Sequence, residues 1–180
     1  MRDQNNSVVP TIGFIGAGKT ATALGIALQR TGYPVCIVAS RRLKSAKEMA
    51  NLLPDCQPTT SAQEVAENSD LVFVTTPDGS IETVANSIKW HHSQAVVHCS
   101  GATSLDALDA ARRHGADVAS FHPLATFATV ESALNQLSGC FIAIEAEGNL
   151  LDSLGEMASR LDCQAIHIDS NDKSLYHTSA

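Results

Sequence analysis

The chain has 180 residues, enough for one substantial core and short for two domains. Its 12 Lys plus Arg stand against 19 Asp plus Glu, and the resulting net charge of −7 argues against a broad nucleic-acid or anionic-membrane surface. No apolar run approaches the length of a membrane span; residues 1–10 read as a flexible polar tail without a signal-peptide core, so a cytoplasmic address is the default.

The stretch 11–42, TIGFIGAGKTATALGIALQRTGYPVCIVASRR, satisfies two phosphate-binding spellings. Gly16-Ala17-Gly18-Lys19-Thr20-Ala21 is a G-x-G-x-x-A dinucleotide turn, whereas Gly13 to Thr20 also reads G-x-x-x-x-G-K-T, the nucleoside-triphosphate P-loop. In both, glycines let the backbone approach phosphate and a helix N-terminus receives its charge. They differ in where the strand ends. A P-loop strand would finish before Gly13 and hold Pro10 inside it, where a proline removes a ladder hydrogen bond. The dinucleotide reading runs the strand over 11–15 and leaves Pro10 outside.

Ala21, Leu24, Ala27 and Leu28 then recur at helical spacing until Thr31-Gly32-Tyr33-Pro34 stops the helix. Residues 35–39, VCIVA, read as a buried second strand that completes a βαβ unit. At its exit an NAD-selecting site would place an acid on the ribose 2′-hydroxyl, but the chain reads Ser40-Arg41-Arg42. Guanidinium groups suit a 2′-phosphate, so an NADP site is expected, with Lys19 near the phosphates. The alternative for Arg41 and Arg42 is a solvated start to the next helix, which carries Ala46, Met49, Ala50 and Leu53.

Further on, strand and helix patterns keep alternating: a short helix at 62–67, a strand from 70 ending in Thr75-Thr76-Pro77-Asp78, a helix at 81–88 and a strand at 95–98 leaving through Cys99-Ser100-Gly101. A helix at 105–113 opened by Ser104, a strand at 116–121 leading into His122-Pro123, a strand at 140–145, a helix at 150–161 and a strand at 164–168 follow. Such alternation predicts an α/β fold, a mostly parallel doubly wound sheet covered on both faces. Ligands bind such sheets beyond the carboxyl ends of the strands, which makes Thr75-Thr76-Pro77-Asp78, His98-Cys99-Ser100-Gly101 and Phe121-His122-Pro123 the candidates. Ser100 also reads as a hydroxyl capping a turn, and His98 and His122 as hydrogen-bonded core or loop histidines, a reading preferred for His98 taken alone. The cysteines at 36, 56, 99, 140 and 163 form no C-x-x-C pair and read as buried reduced thiols; no zinc-type spacing is present and no metal is expected.

Gly-x-Gly near the start, Ser-Arg-Arg after the second strand, H-C-S-G-A-x-S-L-D-A-L from His98, A-S-F-H-P-L-x-T-F from Ala119 and D-K-S-L-Y-H from Asp172 resemble uncharacterised two-domain NADP-binding oxidoreductases. In that family a Rossmann-like domain is joined to a helical C-terminal domain of unknown function. More distantly the chain is similar to pyrroline-carboxylate reductases, prephenate dehydrogenases and deazaflavin-dependent NADP reductases. The resemblance implies a Rossmann-like NADP-binding domain over 11–169 and the start of a helical domain over 170–180. It implies hydride transfer between NADP(H) and a small hydroxy, carbonyl or imine substrate. It also implies His122 as general base and Ser100 as the hydroxyl that orients the substrate oxygen. Cofactor contacts are expected from Gly16, Ala17, Gly18, Lys19, Thr20, Ser40, Arg41, Arg42, Thr75, Thr76 and Pro77.

The family continues past a Tyr-His helix, and this chain stops at Leu175-Tyr176-His177-Thr178-Ser179-Ala180. If these residues are the whole protein, half of the usual cleft is absent, and self-association into a homodimer could cover apolar residues that the second domain would otherwise bury. Cofactor binding is therefore better supported than turnover. Two alternatives stay open: a non-catalytic NADP-binding or redox-sensing module, and a P-loop nucleotide-dependent enzyme.

Overall fold

The computed structural model describes residues 9–125 and 129–168. Apart from residues 9 and 10, the expected N-terminal tail lies outside these, and so does the expected start of a helical domain at 170–180. Eight strands form one sheet in the order β3-β2-β1-β4-β5-β6-β7-β8. They are β1 (Ile12–Ile15), β2 (Val35–Ala39), β3 (Gln57–Thr59), β4 (Leu71–Val74), β5 (Ala95–His98), β6 (Asp117–Pro123), β7 (Phe141–Glu145) and β8 (Gln164–His167). The order of the first six is that of the Rossmann doubly wound fold, in which the chain reverses its direction of travel across the sheet between β1 and β4.

The central strands are apolar on both faces because helices cover both. Ile12, Phe14, Val38, Leu71, Phe73, Val97 and Phe121 pack under α1 (Lys19–Arg30), α2 (Leu43–Ala50) and α7 (Gly148–Arg160). Within this layer Phe14 stacks on Phe73 at 5.2 Å between ring centroids, and Phe121 meets Phe73 edge-on at 5.9 Å. The opposite face, with Ile15, Ile37, Val72, Val74 and Val96, is covered by α3 (Ala62–Glu67), α4 (Ile81–Asn86) and α5 (Asp109–Arg113). Gly13 is required here for close approach: a Cβ on it would stand 2.5 Å from Val65 of α3.

The helices end where their residues dictate. Gly32, at φ +91, closes α1, and Ser61 caps α3 by accepting from the Glu64 N–H at 3.2 Å. Ser104 caps its segment as expected, but residues 105–113 are not one helix: a 3-10 turn over Leu105–Leu108 precedes α5. Two elements were not expected from sequence. β3 is a three-residue edge strand carrying Pro58, short and polar enough to escape a periodicity reading. α6 (Val130–Leu137) opens on a capping box in which Thr129 accepts from the Ser132 N–H and the Ser132 hydroxyl accepts from the Thr129 N–H, each at 3.0 Å.

One pairing breaks the parallel pattern. β7 runs antiparallel to β6, with Ser120 opposite Glu145 and His122 opposite Ala143, whereas β8 returns parallel to β7. The reversal starts β7 at the same edge of the sheet where β6 ends, so His122 and Pro123 are followed at that edge by the beginnings of two further strands. No helix among the described residues is long and apolar enough to cross a membrane.

Candidate functional site

β1 ends at Ile15, inside the P-loop spelling and directly before the G-x-G turn. That placement favours the dinucleotide reading. Gly16 takes φ +117 while its N–H donates to Ala39 O at 2.8 Å, and Thr75 clamps the turn from β4 by donating its N–H to Ile15 O at 2.8 Å. The Thr75 hydroxyl lies 3.2 Å from the carbonyls of both Ile15 and Gly16. A Cβ on Gly16 would sit 2.7 Å from Thr75 O, so the turn needs glycine for space as well as for conformation. Gly18 is different: it is the N-cap of α1, and a Cβ there would meet nothing within 4 Å. With no side-chain cap and no acid in its first turn, α1 presents its leading N–H groups to whatever lies in front of them.

In front of them is a groove of about 710 Å³ at the crevice between β1 and β4. It is lined by Gly16, Ala17, Gly18, Thr20, Ser40, Arg41, Arg42, Thr75, Thr76 and Pro77, which are all of the expected cofactor residues except Lys19. Lys19 is exposed at the first position of α1 and does not line it. Ser45, Thr60, Ser80 and Thr83 also line the groove and were not foreseen; they come from the helix starts and the β3 exit. Arg41 and Arg42 are exposed, and neither takes part in an ion pair among the described residues, where all three ion pairs lie within single helices. The buried Thr76 Oγ1 has no hydrogen-bond partner. An uncapped helix start, an orphaned hydroxyl and two uncommitted guanidinium groups around one groove suit an anionic dinucleotide carrying an extra phosphate.

The second cluster lies at the exits of β5 and β6. His122 places Nδ1 at 3.0 Å from Cys99 O. A carbonyl only accepts, so Nδ1 carries the proton and Nε2 of the neutral ring is left as the basic nitrogen. His98 has the opposite arrangement: fully buried, it accepts the Ser100 N–H on Nδ1 at 3.2 Å, which is a structural role. The Ser100 hydroxyl donates to Asp78 Oδ2 at 2.7 Å and accepts from the N–H groups of Ala102 and Thr103 at 3.2 and 3.0 Å. Because Asp78 follows Thr75-Thr76-Pro77, this bond ties the cluster to the wall of the groove. Ser100 and His122 line one small cavity together with Gly101, Ser120, Ala143 and Glu145, and no direct bond joins the two.

Glu145 was read only as part of a strand. It is a carboxylate only 5% exposed, brought beside Ser120 and His122 by the antiparallel pairing, which sequence periodicity does not reveal. Gly101 is the other unforeseen member: a Cβ on it would stand 2.6 Å from His122 Nε2. Gly101→Ala is therefore expected to push the imidazole off its Cys99 bond while leaving the groove intact. Histidine proton resonances should shift at His122, with dinucleotide affinity unchanged; an undisturbed His122 would refute the contact. No group of three or more His, Cys, Asp or Glu able to hold a metal occurs among the described residues.

Residues 11–102 match the family described as NADP oxidoreductase, coenzyme F420-dependent. Among solved structures, the chain is similar to a protein from Bacteroides fragilis described as a putative NADP oxidoreductase, at 26% identity and TM-score 0.77, over 94% of this chain and 63% of the other. It shares its fold with the prephenate dehydrogenase of Aquifex aeolicus (12% identity, TM-score 0.76, 92% of this chain and 62% of that one). The same holds for an imine reductase from Aspergillus terreus determined with NADPH4 (13% identity, TM-score 0.74, 95% and 60%). The chain thus spans somewhat under two thirds of the length of the structures it matches. No curated protein matches it.

Proposed function

Given that the chain belongs to the family of coenzyme F420-dependent NADP oxidoreductases, we propose that it binds NADP(H) in the groove between β1 and β4 and serves hydride transfer to or from a small hydroxy, carbonyl or imine substrate. The observation that carries this is the gathering, around one groove, of the glycine turn, the open start of α1 and the two exposed arginines after β2. The turn and α1 would hold the pyrophosphate, and Ser40, Arg41 and Arg42 the 2′-phosphate. Thr75, Thr76 and Pro77 close the other wall. When bound, the nicotinamide supplies a hydride acceptor or donor.

The rest of the chemistry falls to this chain's side chains. His122 Nε2 takes the proton of a substrate hydroxyl as the alcohol carbon is oxidised, or returns it to the oxygen or nitrogen in the reductive direction. Cys99 O holds the ring in the tautomer that makes Nε2 the base. For Ser100 to orient the substrate oxygen, its proton turns from Asp78 to the substrate. On this reading residues 11–169 are the cofactor domain and residues 170–180 begin a helical domain that completes the cleft; the protein acts in the cytoplasm, and self-association into a homodimer is the assembly that would cover its exposed apolar residues.

Calorimetric titration of the chain with NADPH, NADH and ATP–magnesium tests the proposal. NADPH is expected to bind and ATP–magnesium is not. ATP binding that is lost on replacing Lys19 would overturn it in favour of a P-loop, and binding of none of the three would leave a scaffold without a cofactor.

A further inference from the structure

Among the five free cysteines, two are in contact: Cys140 Sγ lies 3.5 Å from Cys163 Sγ. The contact is built into the sheet. β7 and β8 are parallel with Phe141 opposite Gln164, and the Gln164 N–H donates to Cys140 O at 2.8 Å, so the two cysteines are the next opposed pair just before both strands. Opposed residues on neighbouring strands lie about 4.8 Å apart, within the Cα separation that a disulfide spans. The two thiols differ in access. Cys140 is half-buried, while Cys163 is buried and donates to Leu137 O at 2.9 Å. Contact with Cys163 holds the Cys140 thiol below its ordinary value, whereas desolvation pushes those of Cys56 and Cys99 up to about 12.

We propose that Cys140 and Cys163 are an oxidation site, closed by hydroperoxides into a disulfide that staples the starts of β7 and β8 at the sheet edge where His122 also lies. The Cys140 sulfur attacks one peroxide oxygen; an S–O bond forms, the O–O bond breaks, and the leaving hydroxide takes a proton to become water. The Cys163 sulfur then attacks the resulting sulfenic acid, losing its own proton. The S–S bond forms, the S–O bond breaks and a second water leaves. Two thiols are oxidised by two electrons and one hydrogen peroxide is reduced to two waters. The product fixes the outermost strand to the sheet and removes the thiol that now holds Leu137 O at the end of α6, the helix whose Ala133 and Leu137 pack on Ala23 of α1.

The test is titration of the native chain with hydrogen peroxide, read by intact mass and by peptide mapping without reductant. The expected result is a loss of two hydrogens, one cross-linked peptide pair carrying Cys140 and Cys163, and a fall in titratable thiols from five to three that a dithiol reverses. Cys140→Ser should abolish the cross-link, with circular dichroism confirming the fold. Wild-type mapping decides the matter even if Cys163→Ser, a change at a buried site, fails to fold. Over-oxidation of Cys140 without a cross-link, or a disulfide through any other cysteine, overturns the assignment.

Discussion

Replacing Arg41 and Arg42 together with alanine is expected to weaken NADPH binding by roughly tenfold to a hundredfold and to leave NADH affinity nearly unchanged, the range that lost charge-assisted hydrogen bonds to one phosphate produce. The two cofactors differ only in the 2′-phosphate, so the affinity ratio isolates the arginine contribution from the rest of the groove. Both guanidinium groups are exposed and outside any ion pair among the described residues, so no internal partner competes for them. Arg42 is the N-cap of α2 but makes no side-chain cap bond, so the helix start survives the substitution. Arg41→Lys and Arg42→Lys separate charge from geometry: lysine keeps the cation without the planar fork and should recover only part of the loss. Because the groups are exposed, the preference for NADPH should also shrink as salt is raised. Calorimetry on the four proteins checks this, and an equal fall for NADH and NADPH would mean the substitutions had damaged the groove rather than removed phosphate contacts.

The groove was legible in the sequence because its parts are local. A glycine turn between a strand and a helix, and two arginines directly after the next strand, each declare themselves within a few residues, and β2 and α3 lie where the pattern puts them. The elements that escaped are those whose signal is weak or non-local. β3 is three residues with a proline at a sheet edge, held by β2 rather than by its own propensity. α6 carries its capping box with serine in the place where glutamate or glutamine would be diagnostic.

The cluster at the exits of β5 and β6 was half legible for the same reason. Ser100 and His122 stand at strand exits, where such sheets place ligands, and could be named from position. Their actual bonding could not. Asp78 and Ser100 are 22 residues apart and meet through the β4–β5 pairing, and Glu145 arrives only because β7 turns antiparallel against β6. The direction of a strand is a tertiary outcome: the apolar run 141–144 reads identically whichever way it lies. The same blindness applied to the cysteines, whose pairing depends on the β7–β8 register and not on any spacing in the chain.

His122→Ala is expected to lower turnover by roughly a hundredfold to ten-thousandfold, the range for removing a positioned general acid or base, while NADPH affinity stays at the wild-type level. The two readouts separate because His122 does not line the dinucleotide groove. Its ring is half-buried and held by a single bond to Cys99 O, so truncation enlarges a small cavity and leaves one carbonyl facing it, and the fold should survive. A loss of rate from misfolding would instead lower affinity and thermal midpoint together. Added imidazole distinguishes the proton-transfer role from a packing role: a free base that enters the vacated space should restore part of kcat in His122→Ala, and should do nothing for His122→Phe, where the space is filled. The substrate can be any small carbonyl, imine or alcohol that supports measurable NADP(H) turnover, because the comparison is of the same reaction with and without the base. Should His122→Ala keep wild-type kcat with an intact fold, the base must be sought elsewhere in the cavity, and Glu145 is the remaining buried ionisable group that lines it.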